Sequence, residues 1–150
     1  MFIRRLIKTA AVVTLLSAAA CSPDSGPALA APAAHARAQA GTLTLIDIRR
    51  PDEWRQTGVA EDALRVNMEH PQGIAGFVGQ VAAEVEGDTG APIGLICRTG
   101  NRSRQMQRAL REAGFTEVYN VEEGMAGSRA GPGWAARGLP VEPVGADDLP

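Results

Sequence analysis

The stretch PIGLICRTGNRSRQMQRALREAG, residues 92–114, decides the fold of this 150-residue chain. Residues 92–97 form a short apolar run of the kind that is buried in a parallel sheet. A helix is predicted to begin near Arg102 or Ser103 and to end at Gly114. Its apolar face is formed by Met106, Ala109, Leu110 and Ala113. A buried strand followed by a short loop and an amphipathic helix is typical of an α/β protein.

Strand and helix signals alternate on both sides of this stretch. Further strands are predicted at residues 42–48, 63–68 and 117–121. Helices are predicted at residues 32–40 and 51–58 and along an apolar stripe from Ile74 to Val85, with a small helix or turn at 133–138. The alternation predicts a mainly parallel sheet with helices on both faces, and a ligand site at the carboxyl ends of its strands.

The composition excludes several classes of protein. Hydrophobic residues at 45% and charged residues at 21% indicate a globular domain rather than a disordered chain. Aromatic residues at 4% and a net charge of -2 disfavour a nucleic-acid partner. Two cysteines cannot form a four-cysteine zinc site. His35 and His70 fit no metal or triad pattern and are predicted to lie at the surface, so we expect no metal and no cofactor.

Residues 1–20 have the pattern of a bacterial signal peptide. Three cations precede an uncharged stretch over residues 9–20, which is too short to span a bilayer. The small residues before Cys21 resemble a lipoprotein signal, in which that cysteine is acylated; cleavage without lipid, before Cys21 or after Ala30, is the alternative. Both predict a periplasmic or cell-envelope protein, which is attached to the membrane only if Cys21 carries lipid. The rest of the chain is divided into a tether (21–31), a domain (32–143) and an acidic tail (144–150).

Cys97 is the candidate nucleophile. It ends a buried strand below a helix N-terminus, where N–H groups are unpaired and the helix dipole is positive. Gly100 allows the loop to curl so that its N–H groups converge. Between residues 98 and 111 stand five arginines and no acid. A positive field favours the thiolate, which is the nucleophilic form of cysteine.

The alternative is that Cys97 is a small core hydrophobe. An arginine-rich loop, which a core residue does not need, disfavours this interpretation. An unpaired thiol in an oxidising compartment also invites oxidation unless the thiol is used.

The loop CRTGNRS, residues 97–103, resembles the active-site loop of the rhodanese sulfurtransferases, and the resemblance extends over about residues 30–143. The flanking segments that resemble the family are LIDIRRPDEW (45–54), TGVAEDALRVN (57–67), AGFTEVYNVEEGMAG (113–127) and GWAARGLPV (133–141). Val59 stands where the family usually has histidine. The resemblance implies a rhodanese-like three-layer fold.

The resemblance also implies thiosulfate sulfurtransferase activity. The Cys97 thiolate would take the outer sulfur of thiosulfate, sulfite would leave, and cyanide or a thiol would remove the sulfur from the Cys97 persulfide. Arg98 and Arg102 would bind the oxyanion of the donor, and Ser103 would cap the helix or face into the loop. The residues implied to bind the substrate are Arg98, Thr99, Gly100, Asn101, Arg102 and Ser103. The implied partners are a small sulfur-containing anion and a thiol acceptor.

The length of the loop bears on the reaction. Four residues separate Cys97 from Arg102, whereas related phosphatases use Cys-x5-Arg, a longer loop that fits a tetrahedral phosphate. Arg104 gives Cys-x6-Arg, which fits neither pattern. The spacing favours sulfur over phosphoryl transfer and leaves a phosphatase or arsenate reductase as the less favoured enzyme. A non-catalytic rhodanese-like binding module and a redox-sensing thiol remain alternatives.

Several acids and one arginine lie near predicted strand ends. Asp47, Arg49 and Glu53 are interpreted as supporting residues, with Arg49 paired to an acid so that it ties a strand end to a loop. Glu122 and Glu123 either line the mouth of the site or play no part in it.

Overall fold

The computed structural model describes residues 26–145. The predicted signal peptide, Cys21 and residues 146–150 of the predicted tail lie outside the described residues. In chain order the elements are β1 (Ala28–Leu29), α1 (Ala31–Gln39), β2 (Thr44–Asp47), α2 (Pro51–Thr57), β3 (Val59–Ala60), β4 (Leu64–Arg65), α3 (Gly73–Glu84), β5 (Ile93–Ile96), α4 (Asn101–Glu112), β6 (Val118–Val121) and β7 (Val141–Glu142).

Five strands form one parallel sheet in the order β1-β6-β5-β2-β4. The central strand β5 is buried along its whole length, as its apolar sequence predicts. The mainly parallel α/β architecture predicted from the sequence is thereby confirmed. β3 and β7 form a separate antiparallel pair, which the sequence did not predict because each strand has only two residues.

Alternate strand residues point to opposite faces of the sheet and form two cores. On one face, Ile46, Leu95 and Val118 pack with α3 and α4. On the other face, Leu45, Ile96 and Val121 pack with α1 and with Trp134. Helices therefore cover both faces, and the central strands carry their carboxyl ends to one shared edge. No helix between residues 26 and 145 is long and apolar enough to cross a membrane.

Three local predictions differ from the structure. Part of the predicted tether is the edge strand β1, because the main chain at Ala28 and Leu29 pairs with the open side of β6. The strand predicted at residues 63–68 is reduced to β4. Ile74, predicted to be in the apolar stripe, is 52% exposed in the first turn of α3. The buried residues of that helix are Phe77 and Val81.

Candidate active site

Cys97 follows β5 directly, and its side chain is buried at 1% exposure. Its Sγ accepts hydrogen bonds from the N–H groups of Gly100 (3.2 Å) and Ser103 (3.4 Å). α4 begins at Asn101, one residue earlier than predicted, because Gly100 takes a left-handed conformation immediately before it. A side chain at Gly100 would meet the backbone carbonyl of Glu122, so this position requires glycine. The helix N-terminus is therefore held against the sulfur atom.

Asn120 on β6 forms two hydrogen bonds with the loop and sets the direction of the Ser103 hydroxyl. Its Nδ2 donates to the carbonyl of Gly100 at 3.2 Å, which leaves Oδ1 to accept from Ser103 Oγ at 2.6 Å. A hydroxyl has one proton and two lone pairs. Ser103 Oγ lies 3.3 Å from Cys97 Sγ, and its one proton is directed at Asn120 rather than at the sulfur. The N-cap of α4 is Gly100, and Ser103 lies inside the first turn of the helix, so of its two predicted roles only the one within the loop remains.

Two arginine–carboxylate pairs lie beside the loop. The inner pair joins Arg49 to Asp47. The guanidinium contacts both carboxylate oxygens, at 2.7 Å and 3.0 Å, and both side chains are almost fully buried. Arg49 also donates to Thr57 Oγ1 and to the carbonyl of Gly58. Arg49 is thus paired with an acid and connects the end of β2 to the end of α2.

The outer pair joins Arg102 of α4 to Glu53 of α2. Two parallel hydrogen bonds of 2.6 Å and 2.7 Å connect them. The hydrogen bond from Arg102 is the main cause that lowers the pKa of Glu53 to about 2, and the same bond raises the pKa of Arg102. Arg102 was predicted to bind the oxyanion of a donor, yet its guanidinium already holds a carboxylate. This bidentate pair was not predicted.

A cavity of about 220 Å³ opens beside the loop. Its charged lining consists of Arg49, Glu53 and Arg98. Met125, Ala126 and Ala135 form an apolar wall. The side chain of Arg98 is exposed and makes no ion pair within residues 26–145. It is therefore the cation of this lining that stays available to an anion.

Residues 124–126, which follow β6, form a second wall, which contacts the loop through the backbone. The N–H groups of Met125 and Ala126 donate to the carbonyls of Cys97 (2.8 Å) and Arg98 (2.9 Å). A side chain at Gly124, where φ is +65°, would collide with the backbone of Arg98 and Thr99. Glycine at this position allows the wall and the loop to be in backbone contact.

Glu123 anchors this wall and does not line the mouth of the site. It is 1% exposed and accepts from the N–H groups of Ala31 and Gly133 and from Arg137 Nε. Burial alone raises the pKa of Glu123, but these hydrogen bonds outweigh burial and lower it. Glu122 instead lines a separate cavity of about 750 Å³ together with Thr99 and Asn101.

Both histidines are partly buried, and they make different contacts. His35 is partly buried and its ring packs edge-on against Trp134, with 5.5 Å between ring centroids. Neither histidine is the fully exposed surface residue that was predicted, and in His35 this is because α1 turns the ring toward Trp134. His70 accepts a hydrogen bond from the N–H of Gln72. Across residues 26–145, no three His, Cys, Asp or Glu side chains are grouped to hold a metal ion.

The structure brings most of the predicted site residues to one edge of the sheet. Cys97 and the loop residues 98–103 lie together, with Asp47, Arg49 and Glu53 beside them. Asn120 was missed, although a polar residue inside the apolar strand sequence VYNV is a signal that could have identified it.

Comparisons with known proteins match this chain to a family and to a relative of similar sequence. The model of the family described as "Rhodanese-like domain" matches residues 30–130. The uncharacterised protein RP600 of Rickettsia prowazekii is 26% identical over 98 residues, which cover 64% of this chain and 80% of the relative.

Two solved structures are similar in fold. The polysulfide-sulfur transferase homodimer of Wolinella succinogenes is 25% identical with a TM-score of 0.58, and the match covers 82% of each chain. The thiosulfate sulfurtransferase of Pseudomonas aeruginosa is 26% identical with a TM-score of 0.61. That match covers 78% of this chain and 20% of the other.

Proposed function

The chain belongs to the rhodanese-like domain family, and from this premise we propose that it is a sulfurtransferase that carries sulfur as a persulfide on Cys97. The observation that supports this most strongly is the position of the thiol. Its sulfur lies at the end of the central strand and accepts two backbone N–H groups from a helix N-terminus. Such donors stabilise a negatively charged sulfur without a counter-ion.

In the proposed reaction the Cys97 thiolate attacks the outer sulfur of a sulfane donor. A new bond forms between the two sulfur atoms, and the bond between the outer sulfur and the rest of the donor breaks. The leaving group departs with that electron pair, as sulfite when the donor is thiosulfate. An acceptor nucleophile, cyanide or a thiolate, then takes the outer sulfur and regenerates the thiolate. Charge and atoms balance without an external oxidant or reductant.

The residues of the loop have separate roles in this proposal. The N–H groups between Arg98 and Ser103 would receive the negative outer sulfur of the persulfide. Asn120 keeps the Ser103 hydroxyl turned away from that sulfur. The exposed Arg98 would attract the donor to the cavity.

Steady-state turnover with Cys97→Ser as the control tests this proposal. The wild-type protein is expected to form thiocyanate from thiosulfate or benzenethiosulfonate and cyanide, and the variant is expected to form none above background. Serine replaces cysteine with little change in volume, so the variant is expected to fold. A thermal unfolding midpoint equal to that of the wild type would show that the fold is kept. Turnover by Cys97→Ser close to that of wild type would refute the catalytic role of Cys97. Absence of turnover in the wild type with both donors, with Cys97 in its reduced form, would favour a binding module or a redox-sensing thiol.

We further propose that the protein works in the periplasm or cell envelope and is lipid-anchored at Cys21. The support is the pattern of residues 1–21, with a basic start, an uncharged stretch and small residues before the cysteine. When the full chain is expressed in a bacterium, the wild type is expected in the membrane fraction and Cys21→Ser in the soluble periplasmic fraction. Recovery of the wild type in the soluble fraction would contradict the lipid anchor.

A further inference from the structure

The charges at the mouth of the site are largely compensated. Arg49 is held by Asp47, and the pair is buried. Arg102 is held by Glu53 through two short hydrogen bonds. Arg98 has no such partner within the described residues. Arg49 and Arg98 line the cavity of about 220 Å³, and Arg102 borders it through its bonds to Glu53. A donor that enters therefore meets about one uncompensated positive charge.

The carboxylates that compensate the two arginines differ in how close a donor can come to them. Asp47 is inaccessible to solvent, whereas Glu53 lines the cavity and its side chain is 12% exposed. A donor anion near Arg102 therefore lies close to the Glu53 carboxylate, which stays ionised because its pKa is about 2. Two negative charges a few ångströms apart repel each other, and a double charge is repelled more than a single one.

We infer that Glu53 determines donor specificity: by neutralising Arg102 it disfavours the doubly charged thiosulfate ion and favours singly charged organic sulfane donors. This inference rests on the proposed sulfur transfer at Cys97. Organic thiosulfonates and persulfides carry one negative charge and an organic group. The apolar wall of Met125, Ala126 and Ala135 provides a surface against which such a group can pack.

The burial of Cys97 admits the terminal sulfane sulfur of either kind of donor. With the residue 1% exposed, only a narrow group can reach its sulfur. A terminal sulfane sulfur is one atom wide, and the bulk of the donor can stay in the cavity. The transfer from a thiosulfonate balances as it does for thiosulfate, with a sulfinate leaving in place of sulfite.

Glu53→Gln removes the negative charge of this side chain and keeps its size and shape. Glutamine keeps an acceptor oxygen for the N–H of Arg50, which Glu53 accepts at 3.1 Å at the start of α2, and for Arg102. The matched control is Asp52→Asn, because Asp52 lies on the same helix, is half-exposed, pairs with Arg50 and does not line the cavity. Gln56→Glu tests the opposite direction, since Gln56 is an exposed residue in the cavity lining.

The measured quantity is the ratio of kcat/KM for thiosulfate to kcat/KM for benzenethiosulfonate, with cyanide as acceptor. Glu53→Gln is expected to raise this ratio about 10-fold, the change in rate that corresponds to about 1.4 kcal/mol. Gln56→Glu is expected to lower the ratio about threefold, and Asp52→Asn to leave it within about twofold. A purely structural role of Glu53 would lower kcat/KM for both donors by the same factor and leave the ratio unchanged.

An unchanged or lowered ratio in Glu53→Gln, or an equal rise in Asp52→Asn, would overturn the inference while leaving sulfur transfer intact. A wild-type protein without turnover on either donor would instead refute the proposed function, and the inference with it. If Glu53→Gln is too unstable to assay, an unchanged ratio in Gln56→Glu overturns the inference.

Discussion

The two arginine–carboxylate pairs beside Cys97 have the same chemistry and different settings. Asp47 and Arg49 are two residues apart, lie at the end of one strand and are at most 2% exposed. Glu53 and Arg102 are 49 residues apart, belong to two helices and are 12% and 27% exposed. Arg49 and Glu53 both line the cavity, but the carboxylate of the inner pair, Asp47, is fully buried, whereas the carboxylate of the outer pair is accessible. Burial of the carboxylate therefore separates a structural ion pair from one whose negative charge can influence a substrate.

Breaking the inner pair is expected to give the largest loss of stability. Asp47→Asn would leave the Arg49 guanidinium buried without a counter-charge, at a cost of about 3–5 kcal/mol in the free energy of unfolding. Urea unfolding at neutral pH measures this loss. A loss below about 1 kcal/mol, the range of exposed ion pairs, would remove the distinction between the two pairs.

Asn120 supports the loop from β6, through hydrogen bonds to Ser103 and to the carbonyl of Gly100. Asn120→Ala removes the acceptor of Ser103 and the donor to Gly100 in a buried site, which is expected to cost about 1–3 kcal/mol. Because Ser103 and Gly100 border the Cys97 sulfur, kcat should fall as well. An unchanged kcat in a folded variant would show that the loop holds its shape without Asn120.

The outer pair is expected to contribute less, and in a pH-dependent way. Because the pKa of Glu53 is lowered from 4.5 to about 2, its contribution is present in full above about pH 5 and is lost as the pH falls toward 2. Glu53→Gln should therefore destabilise the protein by about 1–2 kcal/mol at neutral pH. Its unfolding free energy should also fall less steeply than that of the wild type from about pH 6 to about pH 3.

Glu123 contributes part of the acid sensitivity that remains in this variant, since its pKa is lowered as well. Parallel pH profiles of wild type and Glu53→Gln would contradict the assignment of a strong ion pair to Glu53 and Arg102.

Arg98 is expected to show the smallest effect on stability. Its side chain is exposed and unpaired within the described residues, so Arg98→Gln should change the free energy of unfolding by less than about 0.5 kcal/mol. It should nevertheless lower kcat/KM for both anionic donors, because it removes the uncompensated positive charge at the cavity. Unchanged kinetics with both donors would show that this cation does not attract the substrate.

The sequence predicted the elements that depend on local signals. The apolar run before Cys97, Gly100 and the spacing of Met106 and Leu110 predicted the strand, loop and helix that hold the thiol. Asp47, Arg49 and Glu53 were interpreted as supporting residues near a predicted strand end, with Arg49 paired to an acid.

Contacts between distant segments were not predictable from one sequence. Nothing local to Glu53 identifies Arg102 as its partner, because the two residues are 49 positions apart and belong to different helices. Asn120 and Glu123 are polar residues near a strand end, and their burial depends on the loop and on the wall that pack over them. The strands β1, β3 and β7 are too short to give a sequence pattern, and they form by pairing with strands that are distant in sequence.

The central claim is that Cys97 carries a transferred sulfur atom, and the intact mass of the protein tests it directly. The reduced wild-type protein and Cys97→Ser are each measured before and after exposure to thiosulfate or benzenethiosulfonate. We predict that the wild type gains the mass of one sulfur atom, that cyanide removes it, and that the variant gains none. A wild-type protein that gains no sulfur from either donor, or a variant that gains as much as the wild type, would contradict the account.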